Sequence, residues 1–510
     1  MQGKGIDRVF YFILAGFLFF HLVVLNRVRI LPFIDLPDHL AEATIYRYSG
    51  QPANQLEQYY PLKLFPYANV FYILFMGAPV FPSVEFGSKV FYSLYIFLLP
   101  VSISLLIRKL RGDVWFALLT FLYLYNCSVY WGLSGFMFFI PVFFLFYLAL
   151  MQHMEHDRAL TYILLAGLLM MIYFIHILGA LFSLLVFFTT VIYLFRKSWR
   201  QILKKSLVSI PLLMMIFIST KHPGASGLGS YLLEYYIKNQ HINLAYRVRE
   251  LLVFDNFFLF GPNAGDNIAF FFSSFVMGSV ILRHISLQKN LSPRKNDLSF
   301  RKLYPLVLCS LACFFMLPHA IPAHAAQYQR FSSLFYLSLI VLGSLFVRQS
   351  SRRFKLILCG VCFFHFVLWA DCLLSFDKEN RAFQRNFFPD ETRDKILTGL
   401  IFNKNYRRLP VYIHFPSYYT VWRHGISATS TLQSVFVFTT NDLPRKNIPF
   451  YDEWVNRETP LEKKNFDVDY ILVRGDIPSL YKNYINLHFK LFRSSGKWAL
   501  YEKIKIPFSR

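Results

Sequence analysis

Residues 34–48 read Ile34-Asp-Leu-Pro-Asp-His-Leu-Ala-Glu-Ala-Thr-Ile-Tyr-Arg-Tyr48, and they follow an apolar run that ends near residue 27. Asp35, Asp38, His39 and Glu42 crowd this stretch in a chain where only 16% of residues are charged. Pro37 fixes its own φ and has no N–H to donate, and Asp38 is suited to cap a helix beginning at His39. Glu42 then falls one turn into that helix and His39 in its first turn. Two readings follow. The stretch is either a capped, solvated turn beside a membrane, or carboxylates and an imidazole gathered for chemistry.

The chain has 510 residues, 55% hydrophobic and 19% aromatic, with 58 Phe and a positive mean hydropathy. A soluble protein of this size carries far fewer aromatics. Apolar runs of about 16 to 22 residues, separated by short charged pieces, mark a polytopic α-helical membrane protein. Lys4 and Arg8 precede the first run and no small-residue cleavage site follows it, so Val9–Leu25 reads as a retained span. The formal charge of +24 fits positive-inside topology and anionic lipid headgroups. Nucleic acid is excluded as a partner, because the basic residues form no aromatic-interleaved surface. The six cysteines lie within or beside apolar runs. Cys359-x-x-Cys362 has redox or zinc spacing, but it sits inside an expected span without a second pair and reads as packing. No P-loop or Rossmann glycine pattern is present. Asn126-Cys-Ser and Asn290-Leu-Ser match the glycosylation sequon; one borders a span and the other falls in a basic loop, so both read as chance.

Lysine and arginine assign the sides of the membrane. Basic clusters recur at Arg108–Arg111, Arg158, Arg196–Lys205, Arg283–Lys302 and Arg348–Lys355. Placing them all with the N-terminus in the cytoplasm requires an even number of crossings before each. Spans at 9–27 and 86–107 satisfy this and bracket a long first outer loop, residues 28–85. The apolar stretch 64–81 then is not a full crossing, and Pro61, Pro66, Pro79 and Pro82 suit an interfacial or re-entrant segment. Further spans at 113–131, 135–152, 159–175, 177–195, 205–219, 266–285, 303–318, 331–347 and 354–375 bring the total to about eleven.

Residues 377–510 change character, with Asp, Glu, Asn and Lys at globular frequencies. Acidic residues at 390 and 391 open an expected helix to about Asn403. Leu409–Phe415, Ser434–Phe438, Val468–Val473 and Lys497–Glu502 read as strands, with a hairpin turn at Ser494-Ser-Gly496. The organisation is thus a membrane domain, 1–376, and a small extracytoplasmic α/β domain, 377–510.

Ionisable groups at the outer face are the candidates for chemistry, because charge near a bilayer is costly. Asp35 or Asp38 is placed to act as a general base toward an acceptor hydroxyl, or to hold a divalent cation such as Mg or Mn, with Asp35 and His39 as its ligands. Tyr59 and Tyr60 suit sugar stacking and Lys63 phosphate binding. His176 interrupts a long apolar stretch, read either as a helix-end histidine bonded to a carbonyl or as a cavity residue. Gly179 would allow close approach of another backbone or a lipid chain. Arg247, Arg330 and the neighbouring His324 complete the set. An outer-face Arg runs against the positive-inside trend and calls for an anionic partner, either a loop acid or a lipid phosphate.

Together these features resemble the GT-C superfamily of integral membrane glycosyltransferases. Asp35-Leu-Pro-Asp38-His39 is similar to the Asp-x-Pro-x-His motif of bacterial members, set at the head of the first outer loop. Juxtamembrane helices in 54–82, the outer-facing Tyr173-Phe-Ile-His176-Ile-Leu-Gly179, the Arg330-Phe331 pair and the terminal α/β domain continue the correspondence. The resemblance implies sugar transfer from a polyprenyl-phosphate donor to an envelope acceptor: a lipid, glycan or protein. By family logic Asp35 is the base or metal carboxylate, Asp38, His39 and Glu42 support it, and Arg330 binds donor phosphate. The second outer loop departs from the pattern: Trp131-Gly-Leu-Ser-Gly carries no acid, which weakens the case for a metal. Asp35 is preferred to Asp38 because Asp38 has work as a helix cap. The competing class is a transporter or lipid flippase with an accessory outer domain. It requires mid-bilayer charge and an inverted repeat, and neither is visible.

Overall fold

The computed structural model describes residues 3–51, 56–62, 67–220, 243–253, 257, 264–287, 298–319, 326–347, 349–390, 395–428 and 468–504. The chain forms two compact units. The first comprises Met1–Val24, Ser93–Tyr130 and Gly135–Asp371; the second comprises Leu25–Tyr92, Trp131–Ser134 and Cys372–Arg510.

Six described helices are long and apolar enough to cross a membrane: Arg8–Arg27, Val84–Lys109, Ser134–Glu155, Ile177–Phe195, Trp199–Ser219 and Arg352–Glu379. Ala159–Ile175 and Phe272–Arg283 are shorter apolar helices. Leu298–Met316 and Gln329–Ser344 are helical as well. Phenylalanine packs the first unit. Phe331 meets Phe136 and Phe182 with ring centroids at 5.6 and 5.1 Å, and Phe143 meets Phe182 at 5.1 Å. Lipid tails are as apolar as these rings, so contact geometry holds the helices together; each aromatic pair is worth about 0.5–1.5 kcal/mol.

Salt bridges collect the basic clusters. Lys109 and Lys302 both reach Glu155, at 2.6 and 2.7 Å. Lys204 and Lys205 reach Asp157 at 2.9 and 2.6 Å. Lys205 and Lys302 are nearly buried, so their partners neutralise charges that are costly alone. The clusters that the positive-inside argument assigns to one side of the membrane thus meet through neighbouring acids.

The expected span 113–131 takes another form. It is a 3₁₀-helix, Val114–Leu122, every residue buried, followed by bends and a short helix, Cys127–Tyr130. Asn126 makes the break: its Oδ1 accepts from the Ser128 N–H at 2.9 Å and caps the new turn.

The second unit holds a five-stranded sheet: β1 Ile396–Ile401, β2 Ile426–Ser427, β3 Tyr470–Arg474, β4 Phe489–Ser495 and β5 Trp498–Lys503. The order is β2-β1-β3-β5-β4. β1 runs parallel to β2 and β3, and β5 is antiparallel to β3 and β4. One face packs Leu400, Ile471 and Val473 against Tyr481 and Ile485 of the helix Ser479–His488. The hairpin turns at Gly496, φ +59°.

Two expectations for this unit fail. The helix expected to about Asn403 is β1 instead, whose apolar Ile396-Leu-Thr-Gly-Leu-Ile401 fills the sheet centre. The strand expected at Leu409–Phe415 is a run of turns leading into a 3₁₀ turn, Phe415–Ser417. Pro410 and Pro416 cannot donate to a ladder, so this segment lies across the sheet. A Cβ on Gly399 of β1 would come 2.2 Å from the Pro416 ring, which shows how tightly the turn is seated. Phe415 stacks on Trp498 at 5.4 Å, and the Arg474 guanidinium covers the Tyr412 ring at 3.4 Å. The expected strand Ser434–Phe438 lies outside the described residues.

Candidate active site

The helix predicted from His39 begins earlier, at Leu36, and runs to Tyr48. Asp35 is its N-cap residue, without a side-chain capping bond, and Pro37 takes a first-turn position where no N–H is needed. This corrects the role assigned to Asp38, which lies inside the first turn and caps nothing. The Asp35 backbone is fixed on both sides. Its N–H donates to the Trp131 carbonyl at 3.0 Å, and its carbonyl accepts from the His39 N–H at 3.1 Å. The loop without an acid therefore braces the acidic motif. Gly132 makes that approach possible: at φ +77°, with any Cβ 2.7 Å from the Asp35 nitrogen, it tolerates no side chain.

The two carboxylates converge on a residue from far along the chain. His414 places Nδ1 2.9 Å from Asp38 Oδ2 and Nε2 3.5 Å from Asp35 Oδ1. The Ser417 hydroxyl donates to Asp38 Oδ1. His414 is 1% exposed and Asp38 fully buried, whereas Asp35 keeps 23% of its side chain exposed. Asp35 is thus the accessible end of a buried array running Asp35–His414–Asp38–Ser417. A neutral imidazole has one N–H and donates to one carboxylate; the doubly protonated ring donates to both.

A second cluster lies one turn on. Glu42, buried, accepts from the Tyr72 hydroxyl at 2.7 Å and sits 3.1 Å from His39 Nδ1. Burial alone would lower the His39 pKa, but Glu42, Asp35 and Asp38 raise it, and the net shift is upward from the ordinary value. A raised folded-state pKa contributes stability that is fully present below about pH 6.5 and is lost as pH rises through the folded value. The melting temperature is therefore expected to fall as pH rises above about 6.5, and His39→Gln to flatten that fall; a wild-type curve equally flat across this range would exclude the coupling. Tyr60 is buried, and burial with the nearby Asp38 pushes its phenol up. Tyr59 is partly exposed.

In the first unit, His176 lies between the helices Ala159–Ile175 and Ile177–Phe195. It ends the first and caps the second: its backbone N–H donates to the Ile172 carbonyl at 2.7 Å, and its Nδ1 accepts from the Gly179 N–H at 3.4 Å. Gly179 presses on the Phe139 ring, where a Cβ would stand at 2.6 Å. Arg330, at the start of Gln329–Ser344, is buried; its Nε donates to the Ala326 carbonyl at 3.2 Å and its Nη1 meets His176 Nε2 at 3.3 Å. Arg247 is buried, donating to the carbonyls of Phe314 and Phe315 at 3.0 and 2.6 Å. It thereby closes the end of helix Leu298–Met316 and lies 4.0 Å from the Tyr328 ring centroid. Lys63 and His324 lie outside the described residues.

No group of three His, Cys, Asp or Glu side chains placed to hold a metal is found among the described residues. The acids here turn toward imidazoles and hydroxyls, not toward a common point, so the array fits proton handling better than a metal. His414, Ser417, Tyr72 and Gly132 were not singled out from sequence. The available signal was His414-Phe-Pro-Ser417, a histidine between prolines in the tail.

The multi-pass set of apolar helices together with this small sheet is a fold shared with a solved structure. The crystal structure of ArnT from Cupriavidus metallidurans bound to undecaprenyl phosphate is similar over 98% of this chain and 98% of that one. The TM-score is 0.56 at 10% sequence identity. No protein-family profile and no curated protein matches the chain.

Proposed function

We propose that this chain is a glycosyltransferase of the cell membrane, moving a hexose or pentose from a polyprenyl-phosphate donor to a hydroxyl of an envelope lipid, glycan or protein. The N-terminus is cytoplasmic and the sheet-bearing tail lies on the outer face. The observation that carries the reading is the Asp35 carboxylate, partly exposed yet anchored through His414 to buried Asp38. Asp35 accepts the proton of the acceptor hydroxyl, and that oxygen attacks the anomeric carbon. The bond from that carbon to the donor phosphate oxygen breaks, and the polyprenyl phosphate leaves with the electron pair. One displacement inverts the anomeric centre.

The phosphate contact is assigned to Arg330 with His176. Since His176 Nδ1 accepts from Gly179, the neutral ring carries its proton on Nε2, where it meets an Arg330 N–H. A phosphate oxygen placed beside them would accept from the guanidinium and from this Nε2–H together. The similarity to a structure holding undecaprenyl phosphate supports this donor class.

The test is transfer from radiolabelled undecaprenyl-phosphate sugars in vesicles containing the purified chain and extracted envelope acceptors. Labelled acceptor with inverted linkage is expected. Movement of the donor across the bilayer without labelled acceptor would instead establish a flippase.

A further inference from the structure

We infer that His414 is a positioning residue of the transfer reaction: its Nε2 holds the Asp35 carboxylate in the orientation that accepts the acceptor proton, and the tail thereby completes the site. The inference rests on the proposed transfer. Its structural basis is independent of that reading.

Three observations carry it. His414 is 1% exposed and touches both carboxylates, at 2.9 and 3.5 Å, so it has no role at the protein surface. The segment that bears it is rigidly seated: Tyr412 lies under Arg474, Phe415 on Trp498 and Pro416 on Gly399. Arg474 is itself held by Glu379 at 2.8 Å and by the Asn403 carbonyl at 3.1 Å. Asp38 is fully buried; Ser417 donates to its Oδ1, and its Oδ2 lies 2.9 Å from His414 Nδ1. It anchors the imidazole; it does not meet substrate. The direction of the array is therefore fixed: Asp38 orients His414, and His414 orients Asp35. A carboxylate free to rotate loses the near-attack geometry that makes a base effective, and misplacement by about 1 Å costs on the order of 100-fold in rate.

Side-chain length separates positioning from simple support. The amide nitrogen of Gln extends to the place of ring Nε2 and reaches Asp35. That of Asn reaches only the place of Nδ1, toward Asp38. The full-length protein in detergent is treated with a water-soluble carbodiimide and glycinamide, and coupling at Asp35 is read by peptide mass spectrometry. Asp390, 90% exposed, serves as the internal reference. Coupling at Asp35 is expected to rise roughly threefold in His414→Ala and His414→Asn, because the imidazole that holds and covers its carboxylate is gone. His414→Gln is expected to stay near the wild-type level. Ser417→Ala loosens the same turn without touching Asp35 and is also expected to leave coupling unchanged.

In the vesicle assay His414→Asn is expected to lower kcat by on the order of 100-fold with donor KM unchanged, and His414→Gln to recover most of the loss. Unchanged Asp35 coupling in folded His414→Ala and His414→Asn would overturn the inference. So would an equal rise in Ser417→Ala or His414→Gln, which would mean general loosening. If the wild-type chain transfers no sugar, the functional reading fails, while the coupling pattern still decides whether His414 positions Asp35.

Discussion

Asp35→Asn is expected to give a folded, membrane-inserted protein whose sugar transfer is lower by about 10²- to 10⁴-fold, the contribution of a positioned general base. The substitution preserves shape. The amide oxygen can still face His414 Nε2, and the backbone bonds from Asp35 to Trp131 and His39 do not involve the side chain. Basicity alone is removed, so the loss should fall on kcat with little change in melting temperature. Asp38→Asn is the natural contrast. Asp38 is buried, accepts from Ser417 and lies 2.9 Å from His414, so its replacement should register in the melting temperature as well. Asp35→Asn at the wild-type rate, at matched expression, would remove Asp35 from the chemistry.

Arg330→Ala is expected to weaken donor binding by roughly 10- to 100-fold, the value of about 1.5–3 kcal/mol carried by hydrogen bonds to a charged group. Arg330→Lys should recover little, because an ammonium does not reproduce the planar fork that serves phosphate. The competing account makes Arg330 a helix-end brace. It donates to Ala326 and stands 5.7 Å from the centroid of the Phe136 ring. That account predicts a lower melting temperature with donor affinity intact. Titration of undecaprenyl phosphate against the purified variant separates the two, and unaltered affinity would leave Arg330 with a structural role only.

Ala159–Ile175 and Ile177–Phe195 stand where the apolar runs put them, because a helix is the local way to satisfy every backbone group in lipid. The run 113–131 is as apolar as these, yet it breaks at Asn126, whose side chain offers the backbone a better local bond. The β-branched and aromatic residues of Leu409–Phe415 predict a strand, but prolines at 410 and 416 deny it a ladder. Asp, Pro and spacing all allow Asp38 to be a cap, but the helix begins two residues before it.

Hydropathy pattern is enough to make the chain a multi-pass membrane protein with a small α/β tail, and residue order alone gathers acids and an imidazole at residues 35–42. Hydropathy and residue spacing are local quantities, and local quantities suffice for these conclusions. Only the tertiary structure decided what those acids do for one another. It turned Asp38 from a cap into a buried anchor, set Trp131 and Gly132 against the Asp35 backbone, and brought Ser417, with His414, to an acid 379 residues away. The cause is the seating of Pro416 on Gly399 and of Phe415 on Trp498, contacts between distant segments that no short-range pattern encodes.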